Sequence, residues 1–414
     1  MRRIAELAPF RVEDPHVPRP RVFSSFRLIA VAVVVVALAL AGCTPSISVS
    51  IGSKHHKTHA KTTSKQHGKS HHKKPHHTTS HHTTSHHKTS HAKSKHHAKA
   101  HHHKAHHSSG GSGGGSADQL VIEPNAGFST VYNLINHAKH SIEITMFEFA
   151  DTTAEHDLGA AAKRGVDVRV ILDQKETSTD MPAYDYFKSH GIKVVWSWSK
   201  YTYTHQKTLT FDNTTSIVET ANLTANYYKT SRDFLVVDHD KADVAAIVKV
   251  FNADFAHHAI TPPDGADLVW SPTDSQRQIL GVINGAKKNL RIYSEEMGDS
   301  TVVDDLIAAA KRGVDVMVCG ENLSGEYTST FERMARYGVH IAYYSSSTGF
   351  YIHGKVVLAD YGTKNARVFI GSENFSNTSL NENRELGLII RTPSVMSGIV
   401  SVFGKDFANG KHTS

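Results

Sequence analysis

The eight residues Ala-Ala-Lys-Arg-Gly-Val-Asp-Val at positions 161–168 recur without change at positions 309–316, an offset of 148 residues. Two copies of one structural unit are the economical explanation of such a repeat. Each copy has the pattern of a helix end, a C-cap glycine at Gly165 or Gly313, and the start of a strand. The repeated segment therefore predicts a fold built from two equivalent halves.

The sequence on either side of each copy continues this agreement. Each half contains a helical stretch (131–139 and 279–287), a strand (141–149 and 289–296), the helix of the repeated segment, and a second strand (166–172 and 314–319). Strands that alternate with helices are typical of α/β sandwiches. We expect a monomeric chain of the α/β class, in which two tandem α/β/α sandwich units, residues 118–262 and 263–414, pack as a pseudo-dimer.

Charge separates this folded part from the N-terminal region. Residues 1–117 carry 18 Lys and Arg against 3 Asp and Glu, whereas residues 118–414 carry 28 against 36. The net charge of +7 therefore combines a basic arm with a mildly acidic folded part. This division excludes a protein that coats nucleic acid with its whole surface. Two cysteines also exclude a disulfide scaffold.

Residues 1–42 have the pattern of an export signal. Arg19, Arg21 and Arg27 precede the apolar run 28–40, which is shorter than the roughly 20 residues of a membrane span. The run ends in Leu40-Ala41-Gly42-Cys43, which resembles a bacterial lipobox. The resemblance implies that Cys43 is lipidated and anchors an extracytoplasmic protein to the cell membrane. An uncleaved signal anchor is the alternative, and it also places the bulk of the chain outside.

Residues 43–117 form an arm rich in His, Lys, Ser and Thr that ends in a Gly/Ser linker. Twenty of the 32 histidines lie between His55 and His107, a segment without large apolar side chains, so we expect it to be disordered. Paired imidazoles suit transition metals such as Zn, Cu or Ni. The 12 lysines of the arm suit a cationic tether to anionic lipid or wall polymer. We favour the tether, and the two roles are compatible.

A second pattern repeats further along each half. Both copies read His-x-Lys-x-x-x-x-Asp, at positions 205–212 and 353–360, again 148 residues apart. Residues two apart on a strand face the same side, so each His and Lys should share a face. An asparagine and an acidic residue follow each motif at an offset of 152, namely Asn222 and Asp233 in the first half and Asn374 and Glu385 in the second.

With these motifs, residues 118–414 resemble the phospholipase D superfamily, in a bacterial lipoprotein form. The resemblance implies catalysis by His205, Lys207, Asn222, Asp233, His353, Lys355, Asn374 and Glu385. His205 would attack phosphorus to give a phosphohistidine and His353 would act as general acid and base, although the reverse assignment stays open.

The resemblance also assigns the remaining residues of the motif. Lysines and asparagines would neutralise the phosphate oxygens, so no cofactor and no catalytic metal is expected. Asp233 and Glu385 would orient the histidines, with Asp233 serving His205. Asp212 and Asp360 are expected to be structural.

The first half departs from the family pattern at two places. Glu219-Thr220 stands where the second half has Gly371-Ser372, and Asp233 replaces a more common glutamate. A glutamate at position 219 could place a negative charge near the phosphate, or it could point away. The catalytic roles assigned to residues of the first half therefore match the family pattern less closely than those of the second half.

Aromatic residues precede both motifs and are expected to line the cleft: Trp196, Trp198, Tyr201, Tyr203, Tyr343, Tyr344, Phe350 and Tyr351. An acidic catalytic part disfavours long polyanions. We therefore expect hydrolysis of a phospholipid head-group phosphodiester at a membrane surface. The alternatives are an extracytoplasmic nuclease acting on nucleic acid, a phosphatidyltransferase similar to cardiolipin synthases, and a non-enzymatic surface protein that binds metal and anions.

Two smaller features complete the predictions. Cys319 aligns with Ile171 in the repeat, which indicates a buried strand thiol. Glu148 aligns with Glu296 at the end of a strand, where it could border the cleft without being catalytic.

Overall fold

The structure is a computed structural model that describes residues 118–413. The signal peptide, the lipidation of Cys43 and the histidine-rich arm, all predicted within residues 1–117, lie outside the described residues. Among the helices of residues 118–413, none is long and apolar enough to cross a membrane.

The first half forms a mixed sheet with flanking helices. Its elements are β1 (Gln119–Glu123), α1 (Ser129–His137), β2 (Ser141–Met146), β3 (Phe149–Ala150), α2 (Thr152–Lys163), β4 (Asp167–Leu172), α3 (Thr177–Ser189), β5 (Lys193–Trp196), β6 (Thr208–Phe211), β7 (Thr215–Glu219), β8 (Leu223–Thr224), β9 (Ser231–Asp238) and α4 (Lys241–Phe255). The sheet order is β1-β9-β7-β6-β2-β4-β5, and β3 pairs separately with β8. Strands β2, β4 and β5 are parallel, and the other neighbours along this order are antiparallel.

The second half repeats this arrangement. Its elements are β10 (Leu268–Ser271), α5 (Ser275–Gly285), β11 (Asn289–Ser294), α6 (Ser300–Lys311), β12 (Asp315–Glu321), α7 (Thr328–Arg336), β13 (His340–Tyr344), β14 (Tyr351–Ile352), β15 (Val356–Ala359), β16 (Arg367–Gly371), α8 (Asn377–Asn381), β17 (Glu385–Ile390), α9 (Pro393–Asn409) and β18 (Lys411–His412). The sheet order is β10-β17-β16-β15-β11-β12-β13-β18. The first seven strands match the first sheet one by one, so the predicted tandem α/β units are confirmed.

The repeated segment behaves as its residues predict. Helices α2 and α6 both begin after an aspartate cap, Asp151 and Asp299, whose carboxylate accepts backbone N–H groups of the first turn. Both helices end just before a glycine with positive φ, +93° at Gly165 and +86° at Gly313. Only glycine adopts this conformation without strain, and it releases the chain directly into the next strand.

Three apolar clusters hold the fold together. One lies between α1 to α3 and the first sheet and includes Val131 and Phe187, and the corresponding cluster of the second half includes Phe331. The third cluster joins Phe234 of the first half to Trp270 of the second, with side chains from α4 and α9. The two halves therefore share a buried core, which fixes the position of one sheet relative to the other.

Two buried ion pairs also connect the halves. Nε of Arg232, on β9, lies 2.7 Å from Oδ2 of Asp406 on α9. Nε of Arg384, just before β17, lies 2.8 Å from Oδ2 of Asp254 on α4. Each arginine directly precedes one of the candidate catalytic acids, Asp233 or Glu385. These pairs thus hold each acid in place from the opposite half.

Candidate active site

The two His-x-Lys pairs lie in extended segments directly before β6 and β15, not inside strands as predicted. Each segment pairs with the other half of the molecule. Tyr351 and Ile352 form a parallel pair with β9, and Thr204 bridges to Arg384. This backbone pairing places each histidine beside the acid of the opposite half.

Buried acids fix the approach to each histidine. The carboxylate of Asp173 accepts the backbone N–H of Thr204 at 2.6 Å, and that of Glu321 accepts the backbone N–H of Ile352 at 2.9 Å. Asp173 and Glu321 are 148 residues apart; Asp173 directly follows β4 and Glu321 is the last residue of β12. They set the position of the residue before each histidine, and neither was predicted from the sequence.

The acid partners of the two histidines are crossed between the halves. Nδ1 of His205 lies 2.8 Å from Oε2 of Glu385, and Nδ1 of His353 lies 2.8 Å from Oδ1 of Asp233. The prediction that Asp233 serves His205 is therefore wrong. The physical reason is the pairing of β14 with β9, which brings the segment before His353, and not that before His205, next to Asp233.

Both acids are held in their ionised form. Burial raises the pKa of Asp233, but His353, Lys355 and hydrogen bonds outweigh it and lower this pKa to about 2. Thr220, one of the residues that departs from the family pattern, donates to Asp233 at 2.7 Å. Burial also opposes ionisation of Glu385, yet the contact with His205 lowers the pKa of Glu385. Each imidazole therefore donates through Nδ1 and leaves Nε2 for chemistry.

The two lysines are completely buried at the centre of the site. Nζ of Lys207 donates to the carbonyl oxygen of His205 at 2.7 Å, and Nζ of Lys355 donates to that of His353 at 2.6 Å. Burial and repulsion by Lys355 lower the pKa of Lys207 to about 7. Burial, together with Lys207, lowers the pKa of His205 to about 4, against the effect of Glu385. At neutral pH His205 thus keeps a free electron pair on Nε2.

The two asparagines complete the constellation, and each donates to a glutamate. Nδ2 of Asn222 lies 3.0 Å from Oε2 of Glu148, and Nδ2 of Asn374 lies 3.0 Å from Oε2 of Glu295. Glu148 thus borders the cleft as predicted. Glu295 was not singled out from the sequence. The repeat alignment contained a signal, because it places Glu295 opposite Phe147, a change from an apolar to a charged side chain beside the motif.

The motif aspartates lie away from the reacting groups. The carboxylate of Asp212 accepts the backbone N–H groups of residues 139–141, and that of Asp360 accepts those of residues 287–289. Each aspartate thereby ties the end of the motif strand to the start of its neighbour, β2 or β11. This placement agrees with the structural role expected for both.

Each half also contains one fully buried glutamate without a hydrogen-bond partner for its carboxyl group, Glu219 and Glu373. Burial raises the pKa of both well above the ordinary value. The neutral form of Glu219 is therefore favoured, so this departure from the family pattern adds no negative charge to the site. In the second half Gly371 leaves the space that Glu373 fills, since a Cβ at Gly371 would collide with Oε2 of Glu373.

Few of the predicted aromatic residues line the site. The ring of Tyr351 stacks at 5.9 Å from that of His353, and Tyr203 lies 6.0 Å from Phe147, which itself contacts His205 at 4.6 Å. Most of the others belong to the packing of the halves. Trp196 stacks on Tyr184, Tyr201 contacts Arg384, Tyr343 stacks on Phe331, and Tyr344 and Phe350 pack together.

Carboxylic acids surround the cleft as well. Burial and Glu148 raise the pKa of Glu176 to about 7, and burial and Glu295 raise the pKa of Glu296 to about 7. Within residues 118–413, no group of three or more His, Cys, Asp or Glu side chains is arranged to hold a metal ion. Cys319 is fully buried in β12, as predicted from the repeat.

Comparison with known proteins follows the same division into halves. Residues 131–258 and 279–407 both match the sequence model of the family described as cardiolipin synthase, PLD-like domain. These two ranges contain every predicted catalytic residue. A search of the curated proteins found no match.

The fold is similar to that of two solved structures. Phosphatidylserine synthase from Haemophilus influenzae matches with a TM-score of 0.57 and 12% identity over 72% of this chain and 87% of the other. Polyphosphate kinase from Porphyromonas gingivalis matches with a TM-score of 0.56 and 15% identity over 70% of this chain. This chain spans about half the length of that kinase, with 50% covered. Similarity at these identities concerns the fold alone.

Proposed function

Because this chain belongs to the phospholipase D superfamily, we propose that it is a phosphodiesterase that hydrolyses the head-group phosphodiester of a phospholipid through a phosphohistidine on His205. The observation that carries the proposal is the crossed constellation, in which each His, Lys and Asn set of one half meets an acid of the other. Two such sets around one cleft suit the hydrolysis of a phosphodiester, in which the oxygen of the leaving alcohol is released and the oxygen of a water molecule takes its place.

The two histidines differ in a way that supports separate roles. His205 has a carboxylate at Nδ1, whereas the ring of Phe147 and the buried lysines surround the rest of it. His353 has a carboxylate near both ring nitrogens, Asp233 at Nδ1 and Glu295 at 3.5 Å from Nε2. An unprotonated Nε2 suits a nucleophile, and an imidazole flanked by two carboxylates suits a proton donor.

The proposed reaction has two steps. First, Nε2 of His205 attacks phosphorus, the P–N bond forms, the P–O bond to the leaving alcohol breaks, and His353 gives its Nε2 proton to that alcohol. Second, His353 takes a proton from water, the water oxygen bonds to phosphorus, and the P–N bond breaks to release His205. Lys207 and Lys355 would stabilise the charge on the non-bridging oxygens in both steps, with the asparagines as additional donors.

The cleft favours a lipid over a nucleic acid. Residues 118–414 carry eight more acidic than basic side chains, and Glu148, Glu176 and Glu296 border the cleft. A long polyanion needs a basic track to bind. A phospholipid has a single phosphodiester to contact the two lysines, and its uncharged acyl chains lie outside this contact.

We also infer that the protein acts outside the cytoplasm at a membrane surface, held by lipidated Cys43 and a basic arm. Metabolic labelling with radioactive palmitate tests this proposal in the producing bacterium. Labelling that is lost in Cys43→Ser supports the anchor. A wild-type protein that takes up no label contradicts it.

A vesicle assay tests the proposed reaction. Full-length protein is incubated in EDTA with phosphatidylcholine or phosphatidylethanolamine vesicles, and phosphatidic acid is measured. We expect release that is abolished in His205→Asn and unchanged in His190→Asn, an exposed histidine away from the site. Absence of release from either lipid, with cleavage of single-stranded DNA instead, would contradict lipid hydrolysis.

Phosphatidyl transfer is a second candidate, because the matching family is described as cardiolipin synthase. In that reaction an alcohol replaces water in the second step. Phosphatidylglycerol vesicles distinguish the two reactions. Cardiolipin as the main product would indicate transfer, and phosphatidic acid would indicate hydrolysis.

A further inference from the structure

Glu295 contacts the same hydrogen-bond donors of the second half that a bound phosphate group would need. Its Oε2 atom is 2.6 Å from Nζ of Lys355, 3.0 Å from Nδ2 of Asn374 and 3.5 Å from Nε2 of His353. Its Oε1 atom accepts the hydroxyl of Tyr351 at 2.6 Å. One carboxylate oxygen therefore contacts a lysine, an asparagine and a histidine of the same motif.

This carboxylate is charged. Burial raises the pKa of Glu295, but His353 and Lys355 stabilise the anion and hold this pKa well below its ordinary value. Lys355 is completely buried, while 16% of the Glu295 side chain is exposed. Glu295 follows β11 directly, so its backbone is fixed and its carboxylate lies at the end of a side chain that reaches the cleft.

The first half lacks this arrangement. Phe147 occupies the position that corresponds to Glu295, and its ring lies 4.8 Å from Nζ of Lys207. Within residues 118–413, no carboxylate forms an ion pair with Lys207, which donates to the carbonyl oxygen of His205. A His-x-Lys motif can therefore form in this fold without a carboxylate on its lysine, and the contact of Glu295 with Lys355 is specific to the second half.

We propose that Glu295 is a specificity-determining residue that acts as an internal competitor of phosphate at Lys355, His353 and Asn374. An anion must displace the carboxylate before it can bind these three groups. An exchange of one anion for another gains little from charge attraction, so small anions such as inorganic phosphate bind weakly. A phosphodiester with further contacts along the cleft can supply the difference.

The inference rests on the proposed function only for the identity of the displacing substrate, so a binding experiment without turnover tests it. Inorganic phosphate is titrated into full-length wild type, Glu295→Gln and Glu332→Gln, and binding is measured by calorimetry. Glutamine keeps the size of the side chain and removes its charge. Glu332 is the control because it is an exposed glutamate on α7, outside the cleft, and its substitution removes the same charge.

We expect the Kd for phosphate to fall by about tenfold or more in Glu295→Gln and to change by less than about threefold in Glu332→Gln. Thermal unfolding identifies a misfolded variant, in which case Glu295→Ala takes its place with the same expectation. Phosphate affinity in folded Glu295→Gln equal to or weaker than that of wild type would overturn the proposal. Failure of the proposed function would appear separately, as absence of lipid cleavage by wild type with the difference in phosphate affinity intact.

Discussion

The ion pair between Arg232 and Asp406 offers a direct test of how the two halves stabilise each other. Asp406 on α9 accepts Nε of Arg232 at 2.7 Å, Nη2 at 3.0 Å, and the hydroxyl of Tyr293 at 2.6 Å. Only 6% of each charged side chain is exposed. Asp406→Asn keeps the shape of the side chain but leaves the arginine charge buried without its counter-ion.

The size of the effect follows from this burial. Removal of one partner of a buried ion pair costs about 3–5 kcal/mol. For a folded part of about 300 residues, the unfolding entropy is about 0.6 kcal/mol/K, so Tm should fall by about 5–8 °C. Asp304, paired with Arg333 at the surface with 59% and 44% of the two side chains exposed, is the matched control. Asp304→Asn should lower the stability by less than about 1 kcal/mol, or less than about 2 °C.

The assay is thermal unfolding of the full-length wild type and both variants, monitored by circular dichroism at one pH and protein concentration. Asp254→Asn, which removes the partner of Arg384, should behave like Asp406→Asn, because the pair is repeated at an offset of 152 residues. Equal Tm shifts for Asp406→Asn and Asp304→Asn would refute the argument that buried ion pairs hold the halves together.

Three further predictions concern the site. Glu385→Gln should lower kcat/KM by about 10–100-fold by slowing attack by His205, so it should slow adduct formation even from a 4-nitrophenyl ester, whose leaving group needs no proton. Asp233→Asn acts through His353, so it should slow hydrolysis of the adduct but not its formation from that ester. Rapid-quench kinetics with the 4-nitrophenyl ester separate the two, and slower adduct formation in Asp233→Asn but not in Glu385→Gln would contradict the crossed pairing. The kcat/KM profile should rise with pH through about 4, as His205 loses its proton, and fall above about 7, as Lys207 becomes neutral; a pH-rate profile with no decline up to pH 9 would contradict this. Because burial raises the pKa of Glu373, the contribution of this carboxyl to stability is fully present below its unfolded pKa and is lost as pH rises through the folded pKa. The Tm of Glu373→Gln, relative to wild type, should therefore be higher at pH 8 than at pH 4.5, and a pH-independent difference would argue against a buried neutral carboxyl.

The sequence contained most of the fold, because its determinants are local. The C-cap glycines, the aspartate helix caps and the apolar strands recur at one offset, so helix and strand positions differ from prediction by only a few residues. The duplication then follows from the repeat. The motif residues were also identifiable, because the His-x-Lys spacing places both side chains on the same face of an extended segment.

The crossed acid partners could not be predicted from local spacing. They depend on the pairing of β14 with β9, whose residues are 120 positions apart. The sequence periodicity of each half says nothing about which half its edge segments contact. The aromatic predictions were mostly wrong for a similar reason: Tyr344 and Tyr201 precede the motifs in sequence, but they pack against α9 and Arg384 in the shared interior.

In the proposed reaction His205 forms a covalent bond to phosphorus while His353 transfers the protons. The most direct measurement is mass spectrometry of His353→Asn after reaction with a 4-nitrophenyl ester of phosphatidic acid, whose leaving group departs without protonation. We expect a phosphatidyl adduct on the peptide that contains His205, and none when His205 is also replaced by Asn. An adduct on another residue, or nitrophenol release in the double variant at the rate of His353→Asn, would contradict nucleophilic catalysis by His205.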